Sequence, residues 1–280
     1  MNVDTTIAIF SDMHSGSSKA LFPNHFWQSS INDRNHTPTP RQKIIYEHFR
    51  KCLAVGRYER RGRRLILVHN GDAIDGVHHG TRELITYIKD EQAEIHIDLM
   101  EEAMKGLNWN KKAGDKLYYL NGTEVHTSDK ENEIAKDLRA EKSPDGKRVF
   151  EHLELEINGR RIWFAHHGPA RGDAQNEGDS LRNWLKKQYW KREKEHEYHP
   201  DIIVTGHTHL PAYNTYIMRE KIIHGLICPS WQEKTRFGYK VAPTDKNELG
   251  AIFLTITKEG YILPPVMPIL RTSSEQIIKL

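Results

Sequence analysis

Short apolar runs that stop at polar clusters dominate the first three quarters of this chain. Thr6-Ile7-Ala8-Ile9-Phe10 runs into Ser11-Asp12-Met13-His14-Ser15-Gly16, and Leu65-Ile66-Leu67-Val68 into His69-Asn70-Gly71-Asp72-Ala73-Ile74-Asp75-Gly76. Lys116-Leu117-Tyr118-Tyr119-Leu120 delivers Asn121-Gly122-Thr123-Glu124-Val125-His126, Arg161-Ile162-Trp163-Phe164-Ala165 delivers His166-His167-Gly168-Pro169, and Ile202-Ile203-Val204 delivers Gly206-His207-Thr208-His209. Runs this short and this continuous predict strands buried on both faces, with the polar cluster at the carboxyl end of each. Helical spacing separates them. Ile44, Ile45, Phe49, Leu53 and Ala54 predict a helix over 40–58, capped by Thr39 with Pro40 in its first turn and ending near Gly56. Ile85, Ile88, Ile95, Leu99, Ala103 and Leu107 predict another within 81–112. Ser128 with Glu131 three residues on reads as a capping box for a helix to about Arg139. Leu181, Trp184, Leu185 and Gln188 mark one over 180–196, and residues 17–39 read as a long loop.

From residue 149 onward strands take over: 150–157 and 161–165 around an Asn158-Gly159 hairpin turn, then 212–218, 221–227, 251–256 and 261–267, with Glu259-Gly260 turning the last pair. The stretch 229–249 is polar and irregular, with Trp231, Arg236, Phe237 and Tyr239 as candidate cleft side chains. No repeat or linker interrupts the pattern. One domain over 1–280 is expected, with a motif-bearing part at about 6–211 and C-terminal strands over 212–270.

Composition narrows the chemistry. At 280 residues, 37% hydrophobic and 28% charged, the chain is long enough for a substantial core, and no run approaches the ~18 apolar residues of a membrane helix. The opening Met1-Asn2-Val3-Asp4 lacks the pattern of a signal peptide, so a cytoplasmic protein with no membrane partner is expected. Two cysteines, Cys52 and Cys228, make neither a disulfide framework nor a zinc-type cluster. Any metal must therefore be held by His, Asp and similar ligands. A formal charge of +3 does not by itself imply nucleic acid. The basic residues are nevertheless uneven: Arg57, Arg60, Arg61, Arg63 and Arg64 form one cluster, and Lys186, Lys187, Lys191, Arg192 and Lys194 interleave with Tyr189 and Trp190 in the last helix.

With 19 Gly and 17 His, chance would place Gly-His-x-His in this chain roughly 0.07 times, whereas Asp-x-His alone is uninformative. What distinguishes the set is order and position. Five clusters, Asp-x-His, Gly-Asp-x-x-Asp, Gly-Thr-Glu-x-His, His-His-Gly and Gly-His-x-His, occur in that order at five strand ends, and ligands of open α/β sheets bind at strand carboxyl ends.

In these motifs the chain resembles the calcineurin-like metallophosphoesterase family over roughly residues 6–211. The resemblance implies an α/β fold, a four-layered α/β/β/α sandwich of two mixed β-sheets flanked by helices. It implies a dinuclear metal-dependent phosphoesterase with two divalent ions, manganese foremost and iron, zinc or nickel as alternatives, a choice the thiolate-free ligand set allows. By the family pattern Asp12, His14 and His209 would hold one metal, Asp72 would bridge, and His167 and His207 would hold the second. His167 is preferred to His166 because it directly precedes the glycine. Asp75 would fix a catalytic imidazole. The third motif departs from the family's Gly-Asn-His. Aligned on Gly122, Thr123 takes the ligand position and Glu124 the histidine position, so Thr123, Asn121 and Glu124 all stay candidates for the ligand. His126, two residues late, is the expected proton donor, with His78 and His79 as alternatives at the substrate side. The absence of an obvious capping domain and the two basic clusters favour nucleic acid or nucleotide phosphodiesters as substrate. The alternatives are a phosphomonoesterase, or a metal- or nucleic-acid-binding module weakened in turnover by the altered third loop.

Overall fold

Strand β1 (Thr5–Phe10) is buried along its whole length, with Ile7 and Ile9 facing one hydrophobic cluster and Ala8 and Phe10 another. This two-sided burial explains the continuous apolar run, since side chains alternate across a strand and both faces must then be covered. The computed structural model describes residues 2–271 apart from 79, 128, 171–177 and 242–246. After β1 come a small hairpin of β2 (Trp27–Gln28) and β3 (Asn35–His36), helix α1 (Pro40–Arg60), strand β4 (Arg64–His69), helix α2 (Lys89–Gly106), strand β5 (Lys116–Tyr119) and the short helices α3 (Glu124–Thr127) and α4 (Lys130–Asp137). The second half contains β6 (His152–Ile157), β7 (Arg160–Ala165), α5 (Asp179–Glu195), β8 (Ile202–Thr205), β9 (Ala212–Met218), β10 (Lys221–Ile227), α6 (Arg236–Val241), β11 (Glu248–Gly250), β12 (Ile252–Ile256) and β13 (Ile269–Arg271).

Two mixed sheets form the centre. The first has the order β12-β1-β4-β5, with β1, β4 and β5 mutually parallel and β12 antiparallel to β1. The second has the order β6-β7-β8-β10-β9, with β7, β8 and β10 parallel and the two outer strands antiparallel. Ile7, Ile9, Ile66, Val68 and Leu254 of the first sheet meet Ile162, Phe164, Ile202 and Val204 of the second in one buried cluster. The outer face of the first sheet packs on α1, α2 and α4 through Phe10, Phe49, Leu99 and Ile134, and that of the second on α5 through Ile203, Leu181 and Leu185. The chain is thus a four-layered α/β/β/α sandwich. No helix among the described residues is long and apolar enough to cross a membrane.

Local differences from the sequence reading have identifiable causes. Helix α1 has the expected Thr39 cap, closed into a capping box by Gln42, yet Gly56 does not stop it. The bare backbone there is packed by Phe253 and Leu107, and the helix ends instead at left-handed Arg61. The helix expected within 81–112 occupies only 89–106. Residues 81–85 instead run beside the chain after His14, through Ser18 N–H to Glu83 O (2.9 Å) and Ile85 N–H to Gly16 O (2.7 Å). The 229–249 stretch contains α6 and β11, and 261–267 touches β12 only through bridges at Ile262 and Val266. The arginine cluster lies where β4 begins, opposite the carboxyl ends of the parallel strands. Arg60 is buried against Asp115 (2.6 Å) and the Leu107 carbonyl (2.7 Å), and Arg64 is paired in register with Thr5.

Period-two alternation also places polar residues beneath the sheet. His69 follows Leu65 and Leu67 onto the helix side, where it stacks on Tyr119 at 4.9 Å between centroids and meets His96 of α2 edge-on at 4.8 Å. His96 is fully buried, 3.0 Å from the Tyr119 hydroxyl and 3.3 Å from Ser15 Oγ, and burial pushes its imidazole down to about 3. An unfolded histidine takes its proton near 6.5, so between these values the unfolded chain binds more protons and stability falls as the pH drops through the window. Thermal melts from pH 7 to 4 should show a pH slope that is shallower in His96→Asn than in the parent. Identical slopes would mean that His96 is not held neutral by the fold.

Candidate metal centre

The parallel register brings the strand ends together. Because β1, β4 and β5 run the same way, as do β7 and β8, the residues after them emerge at one edge of the sandwich. Backbone bonds lock these loops to each other: Asp12 N–H donates to Gly71 O, His14 N–H to Asp72 O and Ser15 N–H to Ala73 O, each at 3.0 Å, and Gly206 N–H donates to His166 O at 2.8 Å. Crossing between sheets, the His207 N–H donates to Asp12 Oδ1 at 3.0 Å. Asp12, His14, Asp72, His207 and His209 all have left-handed φ, from 45° to 69°, a region that costs a non-glycine residue about 1–2 kcal/mol. Strained residues of this kind cluster at functional sites. The sharp turn expected of Gly206 is made by the two histidines instead. Gly206 is needed for close approach, since a Cβ there would stand 2.5 Å from Ser11 Oγ.

Two groups of donor atoms result. In the first, His209 Nε2 lies 3.1 Å from His14 Nε2 and 3.3 Å from Asp12 Oδ1, so two imidazoles and a carboxylate aim at one point. In the second, His166, His167 and His207 converge, with His166 Nε2 3.0 Å from Asp72 Oδ2. Asp72 stands between the groups, its Oδ2 also 3.9 Å from His14 Nε2. Thr123 joins the second group: its hydroxyl donates to Asp72 Oδ2 at 3.2 Å and lies 3.2 Å from His207 Nδ1, and its N–H donates to Asp72 Oδ1 at 2.6 Å. Of the other third-loop candidates, Asn121 is bonded to Glu151 and Glu124 is exposed.

The Asp75 carboxylate reaches His14 Nδ1 (3.2 Å) and His78 Nε2 (3.7 Å), and it accepts from Gln232 Nε2 at 2.9 Å. Its backbone carbonyl, rather than its carboxylate, takes His126 Nδ1 at 2.7 Å. The two-residue displacement of His126 is absorbed by the single turn of α3, which returns the ring to 4.8 Å from His14 and 4.2 Å from His78. His79 lies outside the described residues. All of this opens into a cleft of about 860 Å³ lined by His14, Asp72, His126, His167, His207 and His209.

Charge is balanced locally. Burial alone would raise the carboxyls of Asp12 and Asp72. The His209 hydrogen bond and the charge of His166 hold Asp12 well below the usual range, and His166 does the same for Asp72. Burial would lower His166, but the Asp72 and Asp12 charges push it up to about 10. His126 and His207 are pushed down to about 4, by burial first and then by the charge of His14 and His166 respectively.

Three contributors were not assigned from the sequence. His166, set aside in favour of His167, continues the inward face of β7 set by Ile162 and Phe164, donates from Nδ1 to Asn70 O at 2.7 Å, and so presents Nε2 to the site. Strand alternation is the signal that would have pointed to it. Glu131 was read as half of a capping box with Ser128, which lies outside the described residues; its carboxylate instead turns inward and accepts from Ala73 N–H (3.0 Å) and Gly122 N–H (2.6 Å). Burial and the Asp72 charge push Glu131 up to about 7. Gln232 reaches Asp75 from a segment distant in sequence, and no local pattern marks it.

No family model and no curated protein matches the chain. Among solved structures it is similar to a conserved Streptococcus pneumoniae TIGR4 protein described as a predicted phosphoesterase, at 16% identity over 97% of this chain and 100% of that one, with a TM-score of 0.34. It is also similar to the Thermus thermophilus sulfate thiohydrolase SoxB, at 12% identity over 97% of this chain and 57% of that one, with a TM-score of 0.39. A Thermotoga maritima protein solved by NMR gives 13% identity, 96% and 99% coverage and a TM-score of 0.37. At these scores the likenesses carry no weight, and the layers and the site stand on strand register and side-chain geometry.

The donor set fits divalent cations. Two imidazole nitrogens 3.1 Å apart face each other beside a carboxylate, an arrangement a cation would satisfy, and mixed oxygen and imidazole donors suit manganese, iron, zinc or nickel. Asp72→Asn should lower bound transition metal per chain, measured by elemental analysis after dialysis, about tenfold or more in affinity. The control is His196→Asn at the exposed end of α5. Equal metal in the two variants would contradict a shared role for Asp72.

Proposed function

We propose that the chain is a metal-dependent phosphoesterase acting at a dinuclear centre. The observation that carries this is the position of Asp72, one carboxylate facing both donor groups, with His14 on one side and His166 on the other. Asp12, His14 and His209 would hold one cation, His207 and His166 or His167 the second, with Thr123 as an oxygen donor beside it. Two cations about 3.5–4 Å apart would neutralise the phosphoester and lower the pKa of a water.

The chain's own residues supply the rest. Asp75 orients His14 through Nδ1, and Gln232 in turn orients Asp75. Glu131 clamps the second and third loops by accepting from one backbone N–H in each, which holds Thr123 beside Asp72. His126 has its Nδ1 fixed on the Asp75 carbonyl and therefore directs Nε2 outward, where it would give a proton to the leaving oxygen once an anionic substrate raises its pKa. His78, packed on His126 and lining the same cleft, would contact substrate. Nucleic acid or a nucleotide phosphodiester is the proposed substrate, since cations border the cleft beyond the histidines. Thr123 is the feature that favours a weakened centre, because a neutral hydroxyl is a poorer ligand than an amide carbonyl.

With manganese added, the protein should hydrolyse a generic phosphodiester and lose that activity to chelator. His126→Ala should keep its metal while turnover falls by about 10²-fold or more. Metal loss in that variant would make His126 a ligand, unchanged turnover would remove it from the chemistry, and bound metal without any hydrolysis in the parent would establish the weakened module.

A further inference from the structure

The cleft extends well past the histidines, and its far wall is built from two segments, 81–83 and 234–240. Both are fastened to the loop that carries Asp12 and His14. Ser18 N–H donates to Glu83 O at 2.9 Å; Leu21 N–H donates to Trp231 O and Glu233 N–H to Lys19 O, each at 2.9 Å; and Trp231 N–H donates to Asp12 O at 3.0 Å. The Arg236 N–H then donates to the Glu83 carboxylate at 2.8 Å, which joins the two segments and engages the acidic side chain of this wall.

Three cations of the wall, Arg82, Arg236 and Lys240, make no ion pair among the described residues. Phe237 lines the same cleft, with 45% of its surface exposed. Cations that line a cleft together with an exposed aromatic suit a ligand that is anionic and planar at once. Simple solvation would not explain their placement along one concave surface. At about 860 Å³ the cleft is also near the upper end of the ~300–1,000 Å³ range of ligand sites, so a small phosphoester at the histidines would leave this wall uncovered.

We propose that the wall is a nucleotide subsite, in which Arg82, Arg236 and Lys240 hold a second phosphate one link removed from the scissile one while the attached base lies against Phe237. This rests on the phosphoesterase reading and adds to it a requirement for a neighbouring phosphate and a base. Single-stranded nucleic acid and a free nucleoside polyphosphate share this chemistry.

The test is equilibrium binding to the full-length, manganese-loaded protein of three probes: a 5′-phosphorylated dinucleotide with a hydrolysis-resistant phosphorothioate link, a nucleoside triphosphate, and inorganic pyrophosphate. The Arg82→Ala/Arg236→Ala protein should bind the dinucleotide at least tenfold more weakly than the parent, with a log–log salt slope shallower by roughly 0.7 for each lost contact. Phe237→Ala should weaken the two base-bearing probes several-fold and leave pyrophosphate unaffected. A larger loss for the dinucleotide than for the triphosphate assigns the subsite to nucleic acid, and the reverse order to free nucleotides. Unchanged affinity for all probes in the arginine variant, or equal losses with and without a base in Phe237→Ala, overturns the subsite. Turnover of bis(p-nitrophenyl) phosphate by the parent, followed in parallel, separates the two ideas: its absence counts against the phosphoesterase reading, while the binding results still decide the subsite.

Discussion

The Asp72 carboxylate accepts the Thr123 amide on one oxygen, faces His166 and the Thr123 hydroxyl with the other, and looks across to His14. Its contacts depend on the distance between the two sheets at the site, because His14 follows the first sheet and His166 the second. The inter-sheet cluster built on Ile9, Val68, Phe164 and Val204 sets that distance by packing. The site is therefore a consequence of the sandwich rather than an addition to it. A core substitution that separated the layers would also pull the donor groups apart, because a close-packed interior transmits strain.

Behind Asp72 the supporting shell has the same logic. Glu131 and the Asn70 carbonyl lie behind the cleft and Gln232 at its edge, and all three set the backbone, carboxylate or ring orientation of residues inside it. Such partners fix tautomer and direction, and a ligand left without them loses geometry. Five of the residues at the strand ends also sit in left-handed backbone, a cost the surrounding hydrogen bonds must offset.

Much of this was legible in the sequence, for physical reasons. Burial on both faces makes β1, β4 and β8 continuous apolar runs, so the strands and the polar clusters at their ends could be read directly, whereas the four layers came only from the family resemblance and the parallel pairing only from the structure. What could not be read depended on contacts distant in sequence. Gly56 looks like a helix stop until Phe253 is known to lie on it, and Glu131 looks like a cap until its carboxylate is seen between Ala73 and Gly122. His166 was within reach of the alternation rule, but the adjacent Gly168 drew attention to His167. His126 could be placed only once α3 was known to form a turn.

The central claim is that one carboxylate organises two cation sites, and anomalous scattering from crystals grown with manganese tests it most directly. The account predicts two peaks about 3.5–4 Å apart flanking the Asp72 carboxylate, one beside Asp12, His14 and His209 and the other beside His207 and the His166-His167 pair. A single peak, or peaks remote from Asp72, would contradict it.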